Sequence, residues 1–182
     1  MKILILNGNP DTKNEDFDHY VNLLADELSK DKNELTLIKI RDKKITHCAG
    51  CWDCWVKTPG KCRFNDDSIA IRENYINSDM VIFASPLIMG FISAILKKVM
   101  DKLIPLLHPY IEMVQRESHH SKRYDKYPLI GLLYQNNSRE NTDAEITTDI
   151  FNRFALNFRT DLAFSFSVKT ELVDVINEID SY

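Results

Sequence analysis

Five short apolar segments recur along the chain, and each is followed by a segment with helical spacing. The first, residues 3–6, is apolar at every position, which is typical of a strand buried on both faces of a sheet. The other predicted strands are residues 35–40, 80–84, 129–134 and 162–168. The predicted helices begin near Phe17 and then cover residues 66–75, 92–103, 142–157 and 171–179. Because parallel strands need crossover connections, this alternation predicts an α/β domain with a parallel sheet and helices on both faces.

The size and charge of the chain limit the kinds of protein that it can be. Its 182 residues are enough for one domain with a sizeable core, and no repeat or linker divides them, so we expect a single domain over residues 1–182. A formal net charge of −4 at pH 7 argues against nucleic acid and anionic membranes as partners. No apolar run approaches the length of a membrane span or a signal peptide. We therefore expect a cytoplasmic protein.

All the cysteines lie close together in the sequence. They are Cys48, Cys51, Cys54 and Cys62, separated by two, two and seven residues. Four thiolates at this spacing can hold a tetrahedral zinc ion or an iron–sulfur cluster. The spacing favours a cluster, since structural zinc sites usually pair two short knuckles that are separated by a longer span. The alternative is a set of ordinary half-buried thiols beside a pocket.

Three loops follow the predicted strands at the edge of the sheet where α/β proteins bind ligands. They are residues 7–16, 85–92 and 135–141. The first can hold a phosphate through free backbone N–H groups and the positive end of the following helix, or it is simply a strand-to-helix turn. Its candidate ligands are Asn9, Pro10, Lys13 and Asn14. It matches neither the Walker nor the Gly-x-Gly-x-x-Gly pattern.

The loop at residues 85–92 places apolar side chains on a rim that is otherwise exposed. Pro86 stiffens the exit from the strand, and Gly90 permits close approach of the backbone to a ligand. A flat aromatic cofactor would cover the apolar side chains of this loop, which are Leu87, Ile88, Met89 and Phe91. The alternative is that they pack under a polar insertion at residues 108–127.

Four motifs, in this order, resemble the NADPH-dependent FMN reductase group of the flavodoxin-like superfamily, and in particular its iron–sulfur flavoproteins. They are Leu-Asn-Gly-Asn-Pro after the first strand, the cysteine loop followed by Asp66-Asp67, Phe-Ala-Ser-Pro at the end of the third strand, and Gly-Phe-Ile-Ser-Ala before the next helix. The resemblance implies a five-stranded sheet in the flavodoxin-like order 2-1-3-4-5. It also implies FMN over residues 86–91 with its phosphate at the first helix, and a homodimer or homotetramer with the flavin near a subunit contact. We expect the cysteine loop beside the flavin edge.

Three functions are consistent with these features. The first is an FMN-dependent oxidoreductase that moves electrons between NAD(P)H, or a protein donor, and a small-molecule or protein acceptor. The flavin carries that chemistry, so no catalytic side chain is predicted. The second is an electron carrier in which a [4Fe–4S] cluster on the four cysteines exchanges electrons with the flavin. The third is a non-enzymatic flavodoxin-like binding module whose cysteines hold structural zinc or are free.

The phosphate loop departs from the pattern of similar proteins, which place Ser and Arg around the FMN phosphate. This chain has Asn9 and Asp11 there, with Glu15 and Asp16 just beyond. A phosphate dianion would meet like charge unless these acids point outward. Backbone N–H groups together with Asn9, Lys13 and Asn14 are the expected ligands.

The remaining polar and aromatic residues allow smaller predictions. Trp52 and Trp55 shield a cluster, stack near the flavin or belong to the core. We expect Asp66-Asp67 to cap a helix rather than to form a catalytic pair. We expect His119 and His120 to lie in a solvated insertion loop rather than in a metal or phosphate site.

Overall fold

The computed structural model describes residues 1–30, 33–138 and 141–182. Within these residues the strands are β1 Lys2–Asn7, β2 Glu34–Lys39, β3 Met80–Ile88, β4 Phe91–Ile92, β5 Leu107–Val114, β6 Glu117–Lys122, β7 Leu129–Gln135 and β8 Leu162–Ser167. The central sheet has the order β2-β1-β3-β7-β8 with parallel pairing throughout these five strands, and the short β4 pairs antiparallel with the end of β3. The predicted α/β class, the flavodoxin-like strand order and the central position of the first strand are confirmed.

Five of the helices lie at the predicted places, and a sixth, one-turn helix within the cysteine loop was not predicted. The helices are α1 Glu15–Lys30, α2 Asp53–Val56, α3 Ser68–Asn77, α4 Ala94–Asp101, α5 Thr142–Asn157 and α6 Leu172–Asp180. Two short 3₁₀ turns, Ile40–Asp42 and Ile104–Leu106, complete the connections. Among the described residues, no helix is both long and apolar enough to cross a membrane.

Strand β1 divides the core into two layers because its side chains point alternately to opposite faces of the sheet. Ile3 and Ile5 pack with buried residues of α1 and α6 on one face. Leu4 and Leu6 pack with buried residues of α3, α4 and α5 on the other. Burial on both faces explains why residues 3–6 of this strand are all apolar, and the central position of β1 places the residues after it at the middle of one edge of the sheet.

The insertion at residues 108–127 is more ordered than expected. Most of it forms an antiparallel hairpin of β5 and β6, with the two turn residues Gln115 and Arg116 at positive φ. The prediction of a plain solvated loop was therefore wrong. Strand β5 leaves its outward side chains exposed, and its pairing register shifts between Leu107 and Ile111, so the sequence does not show a regular buried alternation.

Candidate functional site

The ends of β1, β3 and β7 meet at one edge of the sheet. The backbone N–H of Gly8 donates to the carbonyl of Ala84 at 2.7 Å, and the hydroxyl of Ser93 donates to the carbonyl of Gly8 at 2.5 Å. A Cβ on Gly8 would lie 2.7 Å from the Cβ of Leu96, so only glycine permits this approach of the chain to α4. Residues 139 and 140 of the third predicted loop lie outside the described residues.

The loop between β1 and α1 is closed by its own hydrogen bonds. Asn9 is fully buried; its backbone N–H donates to Asn7 Oδ1 at 2.9 Å, and its side-chain amide donates to the carbonyl of Asn14 at 3.1 Å. Asn14 Nδ2 donates to Gln135 Oε1 at 2.7 Å. The side chains of the predicted phosphate ligands Asn9 and Asn14 therefore already donate hydrogen bonds within the protein, while Pro10 and Lys13 are exposed.

An ion pair between Arg41 and Asp18 lies beside the same loop. Arg41 Nη2 lies 2.7 Å from Asp18 Oδ2, and Arg41 Nη1 donates to the carbonyl of Asn9 at 3.3 Å. Burial alone would raise the pKa of Asp18, but hydrogen bonds from Arg41, Asn7 and Asn9 lower it below the ordinary value. Asp18 therefore stays ionised, and the charge of Arg41 is already paired.

Residues 86–91 form a tight turn rather than an irregular loop. Strand β3 continues through Ile88 and pairs with β4, and the two residues between them, Met89 and Gly90, have φ of 52° and 82°. Two positive φ angles are typical of a type I′ hairpin turn, which favours glycine. A Cβ on Gly90 would meet the carboxylate of Asp143 at 3.0 Å. The positive φ and the nearby Asp143 therefore favour glycine at this position, and its predicted close contact with a ligand stays a prediction.

The tip of this turn is unusually apolar and exposed. Met89 is 101% exposed and Ile88 is 47% exposed, while Leu87 is half-buried against the core. Phe91 turns into a cavity of about 730 Å³ between the cysteine loop, the β5–β6 hairpin and α5. Large apolar side chains are unusual at an exposed turn, so this surface is a candidate contact surface.

All four cysteines line the same cavity as Phe91. Cys48 and Cys51 are exposed, and Cys54 and Cys62 are half-buried. Burial raises the pKa of the Cys54 thiol, and the neighbouring thiols raise it further. The described residues contain no group of three or more side chains arranged to hold a metal ion, so the thiols share a wall without forming a finished metal site.

Lys102 is the functional-site residue that the sequence analysis missed. It is only 1% exposed, and its ammonium lies 3.2 Å from Asp66 Oδ2, 3.1 Å from Thr46 Oγ1 and 3.4 Å from Cys62 Sγ. A buried lysine must be paired, and here it ties α4 to the cysteine loop. The sequence could have indicated this burial, because Lys102 directly follows α4 and lies three residues after the buried Val99.

Asp66 fulfils its predicted role as a helix cap and also holds Lys102. Its carboxylate accepts hydrogen bonds from the backbone N–H and the hydroxyl of Ser68 at the start of α3. Burial alone would raise the pKa of Asp66, but hydrogen bonds from Ser68 and Thr46 hold it well below the ordinary value. Asp67 instead accepts the backbone N–H of Lys44 at 2.7 Å.

The histidine prediction was wrong in part. His119 is buried, and its ring nitrogens contact Asn157 Oδ1 at 3.0 Å and Glu117 Oε2 at 3.3 Å. His120 is half-buried and packs against Trp55, with the ring centroids 4.8 Å apart. Trp55 donates its indole N–H to the carbonyl of Leu107 at 3.0 Å, whereas Trp52 is exposed. The hairpin thus fixes the cysteine loop through Trp55.

The sequence profile of the NADPH-dependent FMN reductase family matches residues 1–120. The chain belongs to this family. The match covers β1 to β5 and most of β6, including the cysteine loop and the turn at residues 86–91.

Two archaeal proteins named iron-sulfur flavoprotein are similar to this FMN reductase family member. One, from Archaeoglobus fulgidus, is 29% identical over 102 residues, which are 56% of this chain and 48% of that protein. The other, from Methanocaldococcus jannaschii, is 32% identical over 110 residues, which are 58% and 53% of the two chains. The matched region thus spans about half the length of these relatives.

Solved structures confirm the fold. An azoreductase from Bacillus anthracis superposes with a TM-score of 0.63 at 13% identity, covering 100% of this chain and 93% of that one. An FMN-dependent NADH-azoreductase from the same species, solved in complex with FMN, gives 0.59 at 14% identity and covers 100% and 95%. A flavone reductase gives 0.61 at 14% identity and covers 100% and 59%.

The residues of this FMN reductase family member fit the ring of the flavin better than its phosphate. The aromatic side chains around the cavity and the apolar turn suit a flat ring. In the loop before α1, Asn9 and Asn14, two of the donors expected to hold the phosphate, already bond within the protein, whereas Lys13 is exposed.

Proposed function

We propose that this protein is an oxidoreductase that transfers electrons from NAD(P)H, or from a protein donor, to a small-molecule or protein acceptor through a bound flavin. Its membership in the FMN reductase family and its flavodoxin-like fold support this function. Azoreductases and a flavone reductase are among the proteins with the same fold. When bound, the flavin supplies the hydride and electron chemistry.

The observation that carries the proposal is the exposed apolar turn at the carboxyl edge of the sheet. Turns are normally polar, yet Ile88 and Met89 project into solvent here. We propose that the flavin ring lies over residues 86–91 and covers these side chains. Phe91 then links the ring site to the largely apolar cavity and to the cysteine loop beside the flavin edge.

Replacing both turn residues, Ile88→Ser with Met89→Ser, tests this position. Both side chains are exposed, so the fold is kept, and the loss of apolar contact with the ring should weaken flavin binding about tenfold. Quenching of flavin fluorescence measures the binding. The matched control is Val173→Ser on α6, which is 59% exposed on the opposite layer and should leave binding unchanged. Equal flavin affinity in all three proteins would reject the ring position.

A homodimer or homotetramer is the proposed assembly. Two elements that border the cavity, β5 and α5, carry exposed apolar side chains, namely Tyr110, Ile111, Met113, Ile146 and Ile150. Coverage of this area by a second copy would place a subunit contact near the proposed ring site. Sedimentation of the turn variant distinguishes contact with the flavin ring from contact with a second subunit. A change of assembly without a change of flavin affinity would assign the turn to the subunit contact.

The second candidate function is an electron carrier in which a [4Fe–4S] cluster passes electrons to the flavin. The four cysteines on one cavity wall favour it, as do the relatives named iron-sulfur flavoprotein. Cys48, Cys51, Cys54 and Cys62 would have to converge, because they do not form a finished metal site in this structure. Iron and sulfide analysis of protein purified without oxygen decides between this carrier, a zinc-holding module and free thiols.

A further inference from the structure

The loop between β1 and α1 carries its own anion. The carboxylate of Asp11 accepts the backbone N–H of Lys13 at 2.9 Å, and the carbonyl of Asp11 accepts the N–H of Asn14 at 3.1 Å. The N–H of Asp11 in turn donates to Asn9 Oδ1 at 3.1 Å. Backbone N–H groups of this kind are the ones that bind a phosphate before a helix. Here the carboxylate of Asp11 accepts the hydrogen bond of one of these groups, the N–H of Lys13.

Apart from the exposed Lys13, the charges around the loop also oppose a second anion. Helix α1 begins with Glu15, Asp16 and Asp18, which already complement the positive end of its dipole. Arg41, which approaches the loop from the 3₁₀ turn after β2, has its guanidinium paired with Asp18. A phosphate dianion would therefore have to displace the Asp11 carboxylate, break the Asn9 and Asp11 turns, and enter a region of negative charge.

We propose that Asp11 makes this loop select against the flavin phosphate. The protein then recognises a flavin through its ring and ribityl chain, binds FMN and riboflavin with similar affinity, and exchanges its flavin with solution. This inference rests on the proposed function, because it assumes that a flavin is bound at all. It assigns to Asp11 a role in flavin specificity that follows from the hydrogen bonds of the loop.

The test compares FMN and riboflavin binding to the wild-type chain, to Asp11→Ser and to Asp16→Ser. The control removes the same charge from the same exposed region, but Asp16 lies in the first turn of α1, outside the Asp11 turn. Fluorescence quenching should give FMN and riboflavin affinities within about threefold for the wild type. Asp11→Ser should strengthen FMN binding about tenfold and leave riboflavin unchanged, because serine keeps an oxygen for the turn without the charge. Asp16→Ser should change FMN binding less than about threefold.

The possible outcomes separate the inference from the proposed function. Wild-type protein that binds FMN at least about tenfold more tightly than riboflavin would overturn the inference and leave the proposed function standing. The inference is likewise overturned if Asp11→Ser changes the affinities for FMN and riboflavin equally, or if Asp16→Ser strengthens FMN binding as much as Asp11→Ser does. If neither flavin binds to any of these proteins, the inference and the proposed function are both overturned. If Asp11→Ser does not fold, Asp11→Asn, which keeps the side-chain acceptor and removes the charge, must show the gain for FMN.

Discussion

Replacing Lys102 by Met should lower the free energy of unfolding by about 3 kcal/mol, the lower end of the cost of breaking a buried ion pair. The change leaves the carboxylate of Asp66 almost fully buried without its cation, since their side chains are 1% and 8% exposed. It also removes the donor to Thr46 and the contact with Cys62. Urea unfolding followed by circular dichroism measures the loss.

The control for Lys102 is Lys97→Met on the same helix. Lys97 is 46% exposed and pairs with an equally exposed Asp101, so its replacement should change the free energy of unfolding by less than about 0.5 kcal/mol. The double variant Lys102→Met with Asp66→Asn should recover part of the loss, because neither partner then leaves an unpaired buried charge. Equal unfolding energies for the two single lysine variants would show that the buried pair does not stabilise the fold.

Replacing Phe83 by Ala should cost about 4 kcal/mol of unfolding free energy, which is the typical cost of removing a buried aromatic ring. Phe83 is fully buried in β3 and makes edge contacts with Tyr75 of α3 and with Phe151 and Phe154 of α5. These contacts hold α3 and α5 against the strand whose end forms the apolar turn. We therefore expect weaker flavin binding as well as lower stability.

Two controls isolate the packing of Phe83. Phe83→Leu keeps most of the volume and should cost less than about 1.5 kcal/mol. Tyr110→Ala removes an aromatic ring from the exposed face of β5 and should cost less than about 0.5 kcal/mol. Denaturant unfolding of the three variants gives the comparison. A loss for Phe83→Ala no larger than that for Tyr110→Ala would contradict the two-layer core described here.

The fold could be predicted because its signals are local. The apolar run at residues 3–6 of β1 follows from burial on both faces of the sheet, and the spacing of buried residues in α1 follows from burial on one face of the helix. The hairpin could not be predicted in this way, because β5 is largely exposed and β6 is mostly polar. Its pairing stabilises it through backbone hydrogen bonds that leave no apolar period in the sequence.

The site was predicted only in part, because its decisive contacts join distant positions. The cysteine loop and Phe91 could be singled out by residue type, and they do line one cavity. The burial of Lys102 depends on Asp66, which is far from it in sequence. Likewise, the hydrogen bond from Asn14 to Gln135 depends on the pairing of strands, so it could not be foreseen from the loop alone.

Anaerobic reduction of the flavin-loaded protein by NADPH and by NADH tests the central claim most directly. The account predicts that at least one nicotinamide bleaches the blue absorption band of the oxidised flavin, and that air restores the band. Dithionite serves as the control that the flavin can be reduced in the protein. A band that dithionite bleaches but that persists with both nicotinamides would contradict an NAD(P)H-dependent oxidoreductase.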